Sequence, residues 1–406
     1  MNIWVLNHYG GPADRQTTGN YDLGRQLIRK GHAVTIFASS FSHYRFIEER
    51  LRPGEKYRIE NHEGVKFIWL KTTGYCGSDW RRVANMLSYA WRAFRVGSKL
   101  NENPDIIIGT CPHTFAVFAA YLLALRRKAH FFFEVRDLWP QTLIDVGALS
   151  NRNPITWVWR ALEKFLYKKA ARILTIAPGM GAYISRLGIS QEKIIYIPNG
   201  VDLARYESVK EYDGGISKPF TFVYLGGHAR YNGVGVIVDT ASILQNKGQD
   251  HLKFLIVGDG PEKPALVQRA RELNLRNVEF RPLIPKAEIA SVLSEGSAFI
   301  HHIINIPVLQ YGVSSNKLFD YMASARPVIF AVNSANNPVA EAEAGCSIPP
   351  ENPEAMAVAV MDVAGMTPAE RLRLGKNGRK YVEQYHDIKL LAEKLESACV
   401  SALSGG

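Results

Sequence analysis

Paired cysteines are missing from this chain of 406 residues: Cys76, Cys111, Cys346 and Cys399 stand far apart in no metal-ligand or redox spacing. That argues against a disulfide framework and a cysteine-based zinc site, and fits a reducing compartment. Long apolar runs are missing too. The longest, Phe115 to Leu125, falls well short of the ~20 residues that span a bilayer. The start, Met-Asn-Ile-Trp-Val-Leu-Asn, lacks the basic residues and apolar core of a secretory leader. No acidic cluster of metal-binding type stands out, so no essential divalent metal is expected. After the first strand candidate Gly10-Gly11 stands in place of a complete G-x-G-x-x-G, which argues against a hydride-transferring dinucleotide enzyme. These absences predict a cytoplasmic, metal-independent protein.

Acidic charge is scarce in one half only. Residues 1–200 hold 28 Lys+Arg against 15 Asp+Glu, a balance of +13, while the remainder holds 21 against 23, a balance of −2. All seven tryptophans lie in the first half. A basic, Trp-rich half beside a neutral one predicts two surfaces with different tasks. Residues 79–99 set Trp80, Leu87, Trp91 and Phe94 among Arg81, Arg82, Arg92, Arg95 and Lys99. Residues 156–172 set Trp157, Trp159, Leu162, Phe165 and Leu166 among Arg160, Lys164, Lys168, Lys169 and Arg172. Both resemble interfacial helices, with aromatics among headgroups and cations against anionic lipid. Taken singly, each fits equally well a core-packed helix with a solvated basic face. No nucleic-acid-binding motif accompanies the charge, so nucleic acid is not an expected partner.

Apolar runs alternate with helical patterns along the whole chain. Strands are expected at Ile3–Asn7, Ala33–Phe37, Val65–Leu70, Asp105–Gly109, His130–Val135, Arg172–Ile176 and Ile194–Ile197. In the second half they are Phe220–Leu225, Lys253–Val257, Val278–Arg281, Ala298–His301 and Pro327–Phe330. This is an α/β chain with parallel sheets covered on both faces. The pattern restarts near residue 219 after the charged, Gly-rich stretch Lys210 to Lys218. Two Rossmann-like, doubly wound domains are therefore expected, residues 1–203 and 204–378, followed by a helical segment 379–406. Ligand is expected at the strand C-termini facing a cleft.

The most informative stretch is 314–328. Asn316 and Lys317 begin an amphipathic helix whose Leu318, Tyr321 and Met322 share one face. Free N–H groups of a first turn, with the helix dipole and a lysine, attract phosphate. Asp320, about one turn on, suits a pair of hydroxyls. A pyrophosphate joined to a ribose has this shape; an ordinary amphipathic helix ending at Pro327 is the plain alternative. Gly10-Gly11 leaves room for a phosphate or sugar beside strand one, although turns use such pairs too. Gly258-Asp259-Gly260-Pro261 forms a tight strand-to-helix turn, and Ile197-Pro-Asn-Gly-Val-Asp202 reads as a rigid turn between the halves.

Together these residues resemble the retaining glycosyltransferases of family 4, whose GT-B fold faces two Rossmann-like domains across a cleft. The resemblance spans essentially the whole chain. It rests on Gly10-Gly11, Gly31-His32-Ala-Val-Thr, Ile197 to Asp202, Val257 to Pro261 and Lys317-Leu-Phe-Asp-Tyr-Met-Ala323. The segments Val135 to Pro140, Gly226 to Gly233 and Ser315 to Tyr321 are similar to transferases of N-acetyl-L-fucosamine and related amino-deoxy sugars in O-antigen and capsule assembly. The resemblance implies an acceptor-binding N-terminal domain, a nucleotide-sugar-binding C-terminal domain, and a final helix, Arg379 to Leu403, that crosses back to the first.

It also implies site roles, with departures. Family members carry two glutamates eight positions apart, one for the donor sugar and one for the ribose; here Gly312 and Asp320 stand there. The missing carboxylate implies a donor with altered ring hydroxyls. The family's Arg and Lys on the diphosphate are replaced by Gly227 and Asn232, so Arg230 and Lys317 are expected to supply the charge, with amides near Gly226 and Gly227. His113 matches a loop histidine near the reacting sugar. Arg136 and Asp137 end the next strand, where Asp137 would orient or deprotonate the acceptor, or simply pair with Arg136. His228 and His302 are further candidates, His302 more as loop structure. The implied reaction is retaining transfer from a UDP-sugar to a polyprenyl-diphosphate-linked sugar by a protein peripheral to the inner membrane face. The alternatives are a GT-B UDP-sugar 2-epimerase and a non-catalytic, membrane-bound nucleotide-sugar sensor.

Overall fold

The structure is a computed structural model that describes residues 1–405 except 16–17, 44, 78–79, 208–210 and 216–218. Lys210 and residues 216–218 of the stretch between the halves, and Asp79 of the first aromatic-basic segment, lie outside the described residues. The chain forms two compact units: Met1–Pro198 with Ile388–Gly406, and Asn199–Asp387.

The first unit is built on strands β1 (Asn2–Leu6), β2 (Ala33–Ser39), a short hairpin of β3 (Phe41–Ser42) and β4 (Ile47–Glu48), then β5 (Tyr57–His62), β6 (Val65–Leu70), β7 (Ile106–Thr110), β8 (His130–Val135), β9 (Arg172–Thr175) and β10 (Ile194–Tyr196). Eight of them form one sheet in the order β10-β9-β8-β7-β1-β2-β6-β5, in which only β5 runs antiparallel. Its helices are α1 (Gly19–Arg29), α2 (Trp80–Gly97), α3 (Thr114–Arg127), α4 (Gln141–Asp145), α5 (Pro154–Lys169) and α6 (Met180–Arg186). Strand β7, Ile-Ile-Ile-Gly-Thr, is buried throughout, as a central parallel strand covered on both faces must be. Helix α3 packs between α2 and α5. Gly97 lets α2 come close, since a Cβ there would stand 2.6 Å from Leu123. The expected strands all appear; the short β3 and β4 and a strand at Gly345–Ser347 were missed, and so was β5. It folds back on β6 through Glu63 and Gly64, both at positive φ (49° and 89°), the signature of a tight hairpin turn.

The second unit has β11 (Phe220–Leu225), β12 (Leu252–Val257), β13 (Val278–Arg281), β14 (Ala298–His302), β15 (Val328–Ala331) and β16 (Gly345–Ser347). They form a fully parallel sheet in the order β13-β12-β11-β14-β15-β16. Its helices are α7 (Gly235–Asn246), α8 (Lys263–Glu272), α9 (Ile289–Ser294), α10 (Asn316–Ala323), α11 (Pro338–Glu341), α12 (Pro353–Gly365) and α13 (Pro368–Tyr385). The period of two in a strand sends Phe222 and Tyr224 to the core shared with α7 and α12, and Val223 and Leu225 to the core shared with α10. The last helix, α14 (Ile388–Ser404), returns to the first unit, where Leu391 and Leu395 join the core of β1 and β2.

Two local expectations change. The single helix expected over Arg379–Leu403 is two, α13 and α14, parted at His386 and Asp387. His386 stacks on Phe319 with centroids 3.6 Å apart, and its Nδ1 lies 2.8 Å from the Asn199 carbonyl. The turn Ile197–Asp202 is likewise held within the second unit from Asn199 onward: the Asn199 N–H donates to Ser314 Oγ (3.0 Å) and the Val201 N–H to the His386 carbonyl (2.9 Å).

The entry to α10 is fixed by Tyr321. Its hydroxyl accepts from the Leu225 N–H (2.7 Å) and donates to the Leu225 carbonyl (3.1 Å), so the helix takes the hydrogen bonds of a neighbouring strand at the end of β11. Tyr321→Phe strands both backbone groups in a buried site. A loss of about 1–3 kcal/mol in urea unfolding is expected, and an unchanged midpoint would contradict this role.

Candidate functional site

In the second unit, Lys317 is the centre of the polar cluster at the strand C-termini. Its Nζ donates to Tyr224 Oη (3.0 Å) and Asn232 Oδ1 (2.7 Å) and lies 4.5 Å from the Tyr224 ring centre. Tyr224 in turn donates to the Gly227 carbonyl (2.9 Å). Burial pushes the Lys317 ammonium down to about 7, the expected direction for a cation with only neutral dipoles around it. The N-cap, Ser315, makes no side-chain capping bond, so the first turn of α10 keeps free amide donors. A cation, an uncapped helix start and the Gly226-Gly227 backbone therefore converge on one anion-sized region.

The neighbouring loop is pressed close. A Cβ on Gly258 would lie 1.9 Å from the Gly226 carbonyl oxygen, and one on Gly260 2.5 Å from that of His228, so only glycine lets the turn after β12 touch the turn after β11. Lys263, which the sequence reading passed over, donates to the carbonyls of Gly258 (2.7 Å) and Arg281 (3.0 Å) and ties the ends of β12 and β13. His228 is buried and, among the described residues, neither ring nitrogen has a hydrogen-bond partner; burial, helped by Lys263, holds it down at about 4. His302 is structural: its Nε2 accepts from the Glu351 N–H (3.0 Å), so Nδ1 carries the proton and donates to the Asn232 carbonyl (2.9 Å). Arg230 is exposed and, among the described residues, has no carboxylate partner.

Asp320 does not present an open carboxylate. It is 2% exposed, paired with the buried Lys286 ammonium, and accepts from Tyr206 Oη (2.9 Å). Asp320 and Lys286 lie 34 residues apart, and neither Lys286 nor Tyr206 emerged from the sequence reading. Gly312 also has a backbone reason to be glycine. Its φ of 98° lies in the region that side chains avoid, so a glutamate there would be strained.

In the first unit the strand ends carry two networks. Glu134, the one charged residue in β8, binds Asn20 Nδ2 (3.0 Å), Thr110 Oγ1 (2.7 Å) and Arg136 Nη1 (3.0 Å). Arg136 thus pairs with Glu134, a carboxylate inside an apolar strand that the sequence reading overlooked. Asp137 is exposed, and its backbone is held by the buried Cys111, whose thiol donates to the Asp137 carbonyl (3.2 Å). Burial pushes Cys111 up to about 12, so it stays a thiol. Gly10 and Gly11 are buried, and the space beside Gly11 is filled by Arg15, which pairs with Glu49 at 2.9 Å.

His113 is 0% exposed and caps α3: its Nδ1 accepts from the Ala116 N–H (3.2 Å). The proton therefore sits on Nε2 and is donated to His8 Nδ1 at 2.6 Å. His8, stacked between Tyr9 and Tyr89 at 4.4 and 4.3 Å, is left with its own proton on Nε2, and its ring bonds Asn85. Both imidazoles are thus neutral and bonded on each side. Burial, then Arg82, holds His113 down at about 3, and burial, then His113, lowers His8.

An imidazole lowered by folding leaves the unfolded chain to bind the extra proton. Its stabilisation is complete above the unfolded value near 6.5 and is lost as pH falls toward 3. His113 alone is expected to cost about 2 kcal/mol at pH 5 relative to pH 7. Asparagine can cap a helix without titrating, so His113→Asn should flatten the pH slope of the urea midpoint. An equal slope in both proteins would refute the assignment.

Two family models match this chain: one described as "Glycosyl transferase 4-like domain" over residues 16–200, and "Glycosyl transferases group 1" over residues 219–365. The putative colanic acid biosynthesis glycosyl transferase WcaI of Escherichia coli K12 is 23% identical over 291 residues, covering 68% of this chain and 69% of that one. Among solved structures, sucrose-phosphate synthase from Thermosynechococcus elongatus superposes with a TM-score of 0.77 at 18% identity over 100% of both chains. HepE from Anabaena, in complex with UDP and glucose, gives 0.70 at 14% identity, covering 98% of this chain and 99% of that one.

Proposed function

As a member of the GT-B glycosyltransferases of group 1 and family 4, which retain anomeric configuration, the chain transfers a sugar from a nucleotide-sugar donor, and we propose that the sugar is a deoxy or amino-deoxy sugar carried by UDP. UDP-N-acetyl-L-fucosamine or a close relative is the donor of this reading. The acceptor is a polyprenyl-diphosphate-linked sugar, and the product enters O-antigen or capsular polysaccharide. The observation that carries the reading is Lys317, a half-buried cation held by Tyr224 and Asn232 beside an uncapped helix start. HepE was solved with UDP and glucose, which supports UDP as the carrier, and WcaI is named for colanic acid biosynthesis, which supports a polysaccharide product.

In this reading Lys317 and the amides of Gly226, Gly227 and the first turn of α10 take the negative charge of the departing diphosphate, with the exposed Arg230 closing over it. Asn316 lies on the same turn. The acceptor hydroxyl attacks on the face the phosphate leaves, and a phosphate oxygen takes its proton, so the enzyme's task is positioning and charge stabilisation. Asp137 orients the acceptor, Arg136 and His113 hold the loops around it, and Gly258 and Gly260 keep the nucleotide turn tight. Protein cations supply the counter-charge, so turnover is expected to survive EDTA. Loss of activity that added magnesium restores would overturn that point.

The membrane part of the reading is supported by exposed aromatics on basic helices. Trp80 on α2 is 73% exposed and Trp157 on α5 is 61% exposed, while no helix among the described residues is long and apolar enough to cross a membrane. The protein would sit on the inner face of the plasma membrane. Charge reversal at Lys168 and Lys169 should lower binding to anionic vesicles and leave nucleotide affinity unchanged.

The deciding experiment offers labelled UDP-sugars with and without a lipid-diphosphate saccharide. Transfer to the lipid is expected. Epimerised UDP-sugar without acceptor, or tight binding with no turnover, would replace the reading with an epimerase or a sensor.

A further inference from the structure

We infer that a hollow between the C-terminal half of α2 and the start of β5 binds the phosphate of an anionic lipid headgroup. This rests on the membrane reading above and names the site at which the lipid is recognised. The hollow, of about 270 Å³, is lined by Lys56, Tyr57, Trp91, Arg92, Arg95 and Lys99. Four cations thus share one small space. Among the described residues none of the four has a carboxylate partner. The nearest acids in sequence are committed elsewhere: Glu55 to the Arg52 N–H (2.8 Å) and to Arg58 (2.7 Å), Glu102 to Lys66, and Glu60 to the Trp69 indole N–H (2.7 Å). Uncompensated like charges repel, and a phosphate relieves the repulsion. The Arg92 and Arg95 guanidiniums already lie over the Trp91 ring, at 5.7 and 5.0 Å, so their positions are set before a ligand arrives.

The surroundings select a lipid over a free phosphate. Trp80, Val83, Leu87 and Trp91 follow one another at helical spacing on a single face of α2, and all four are exposed. That stripe runs into the hollow at Trp91, which belongs to both. A soluble phosphate has nothing to offer the stripe. A lipid in a bilayer sets an apolar layer beside its phosphate, which matches the pairing. The site is separate from the transferase machinery of the first unit. It lies at the β5 edge of the sheet, four strand spacings or about 19 Å from β7, whereas His113 and Asp137 follow β7 and β8.

The test is co-sedimentation of the full chain with vesicles of phosphatidylglycerol in phosphatidylcholine, against phosphatidylcholine alone. Arg95→Gln with Lys99→Gln should lower partitioning onto the anionic vesicles roughly 30-fold, from about 1 kcal/mol per cation. Lys247→Gln with Lys376→Gln removes the same charge from exposed positions elsewhere and should change it little. Equal losses in the two pairs would overturn the site in favour of diffuse attraction. Loss of binding in Trp80→Ser with Leu87→Ser, but not in the Gln pair at 95 and 99, would leave the membrane reading standing without this site. A wild-type chain that ignores anionic vesicles would instead sink the membrane reading itself. Short-chain phosphatidylglycerol should compete with the vesicles far better than inorganic phosphate; equal competition would make this a site for free phosphate and refute the lipid assignment.

Discussion

Asp320→Ala is expected to destabilise the second unit by about 3–5 kcal/mol, because it leaves the Lys286 ammonium buried without its counter-charge. Both partners are under one-tenth exposed, so water cannot replace the carboxylate, and Tyr206 loses its acceptor as well. Removing the pair together is a different matter. Asp320→Leu with Lys286→Met substitutes apolar groups of similar size, and the double variant should recover most of the loss. Urea unfolding of the two single variants and the double variant measures the coupling directly. If Asp320 served chiefly to hold a ribose, Asp320→Ala would weaken nucleotide binding at unchanged stability. The buried ion pair predicts the reverse order: stability falls first, and donor binding falls because the start of α10 loosens.

Lys317→Met should lower kcat/KM by on the order of 10²–10³, the usual cost of removing one preorganised donor from a developing negative charge. Methionine keeps the length of the stem and removes only the charge, so the fold should be retained. The same lysine makes donor binding depend on pH. Free, its ammonium is pushed down to about 7; a bound diphosphate holds it charged. Above pH 7 the free protein has therefore lost a proton that the complex must take back, and Kd for the nucleotide should rise by up to tenfold per pH unit. Calorimetry in buffers of different ionisation heat should register close to one proton taken up at pH 8 in the wild type and fewer in Lys317→Met. The same uptake in both proteins would remove Lys317 from the diphosphate site.

Much of the architecture was legible in the order of residues. Strands such as Ile106–Thr110 and Phe220–Leu225 announce themselves because a parallel strand must be apolar on both faces, whatever lies around it. The start of α10 at Asn316 was legible for a similar reason, since a helix terminus and its face are set by neighbours within a turn or two. Strand β5 was not, because Tyr57 and Ile59 face outward at an edge and resemble any polar loop.

Site residues divide along the same line. That Lys317 stands at an uncapped helix start next to a glycine loop follows from local sequence, and so does the family to which the motifs belong. Which groups stay free for chemistry does not. Asp320 looked like an open carboxylate until Lys286, 34 residues away, and Tyr206, 114 residues away, closed over it. His113 looked like a free imidazole until His8, 105 residues away, took its second nitrogen. Arg136 found Glu134, a carboxylate buried two residues before it in β8, as a hydrogen-bonded partner. Spacing within a helix or strand is a short-range property that sequence carries whole. A polar group's availability depends on its desolvation and on partners that only the folded chain brings within hydrogen-bond distance, and there the tertiary structure alone decides.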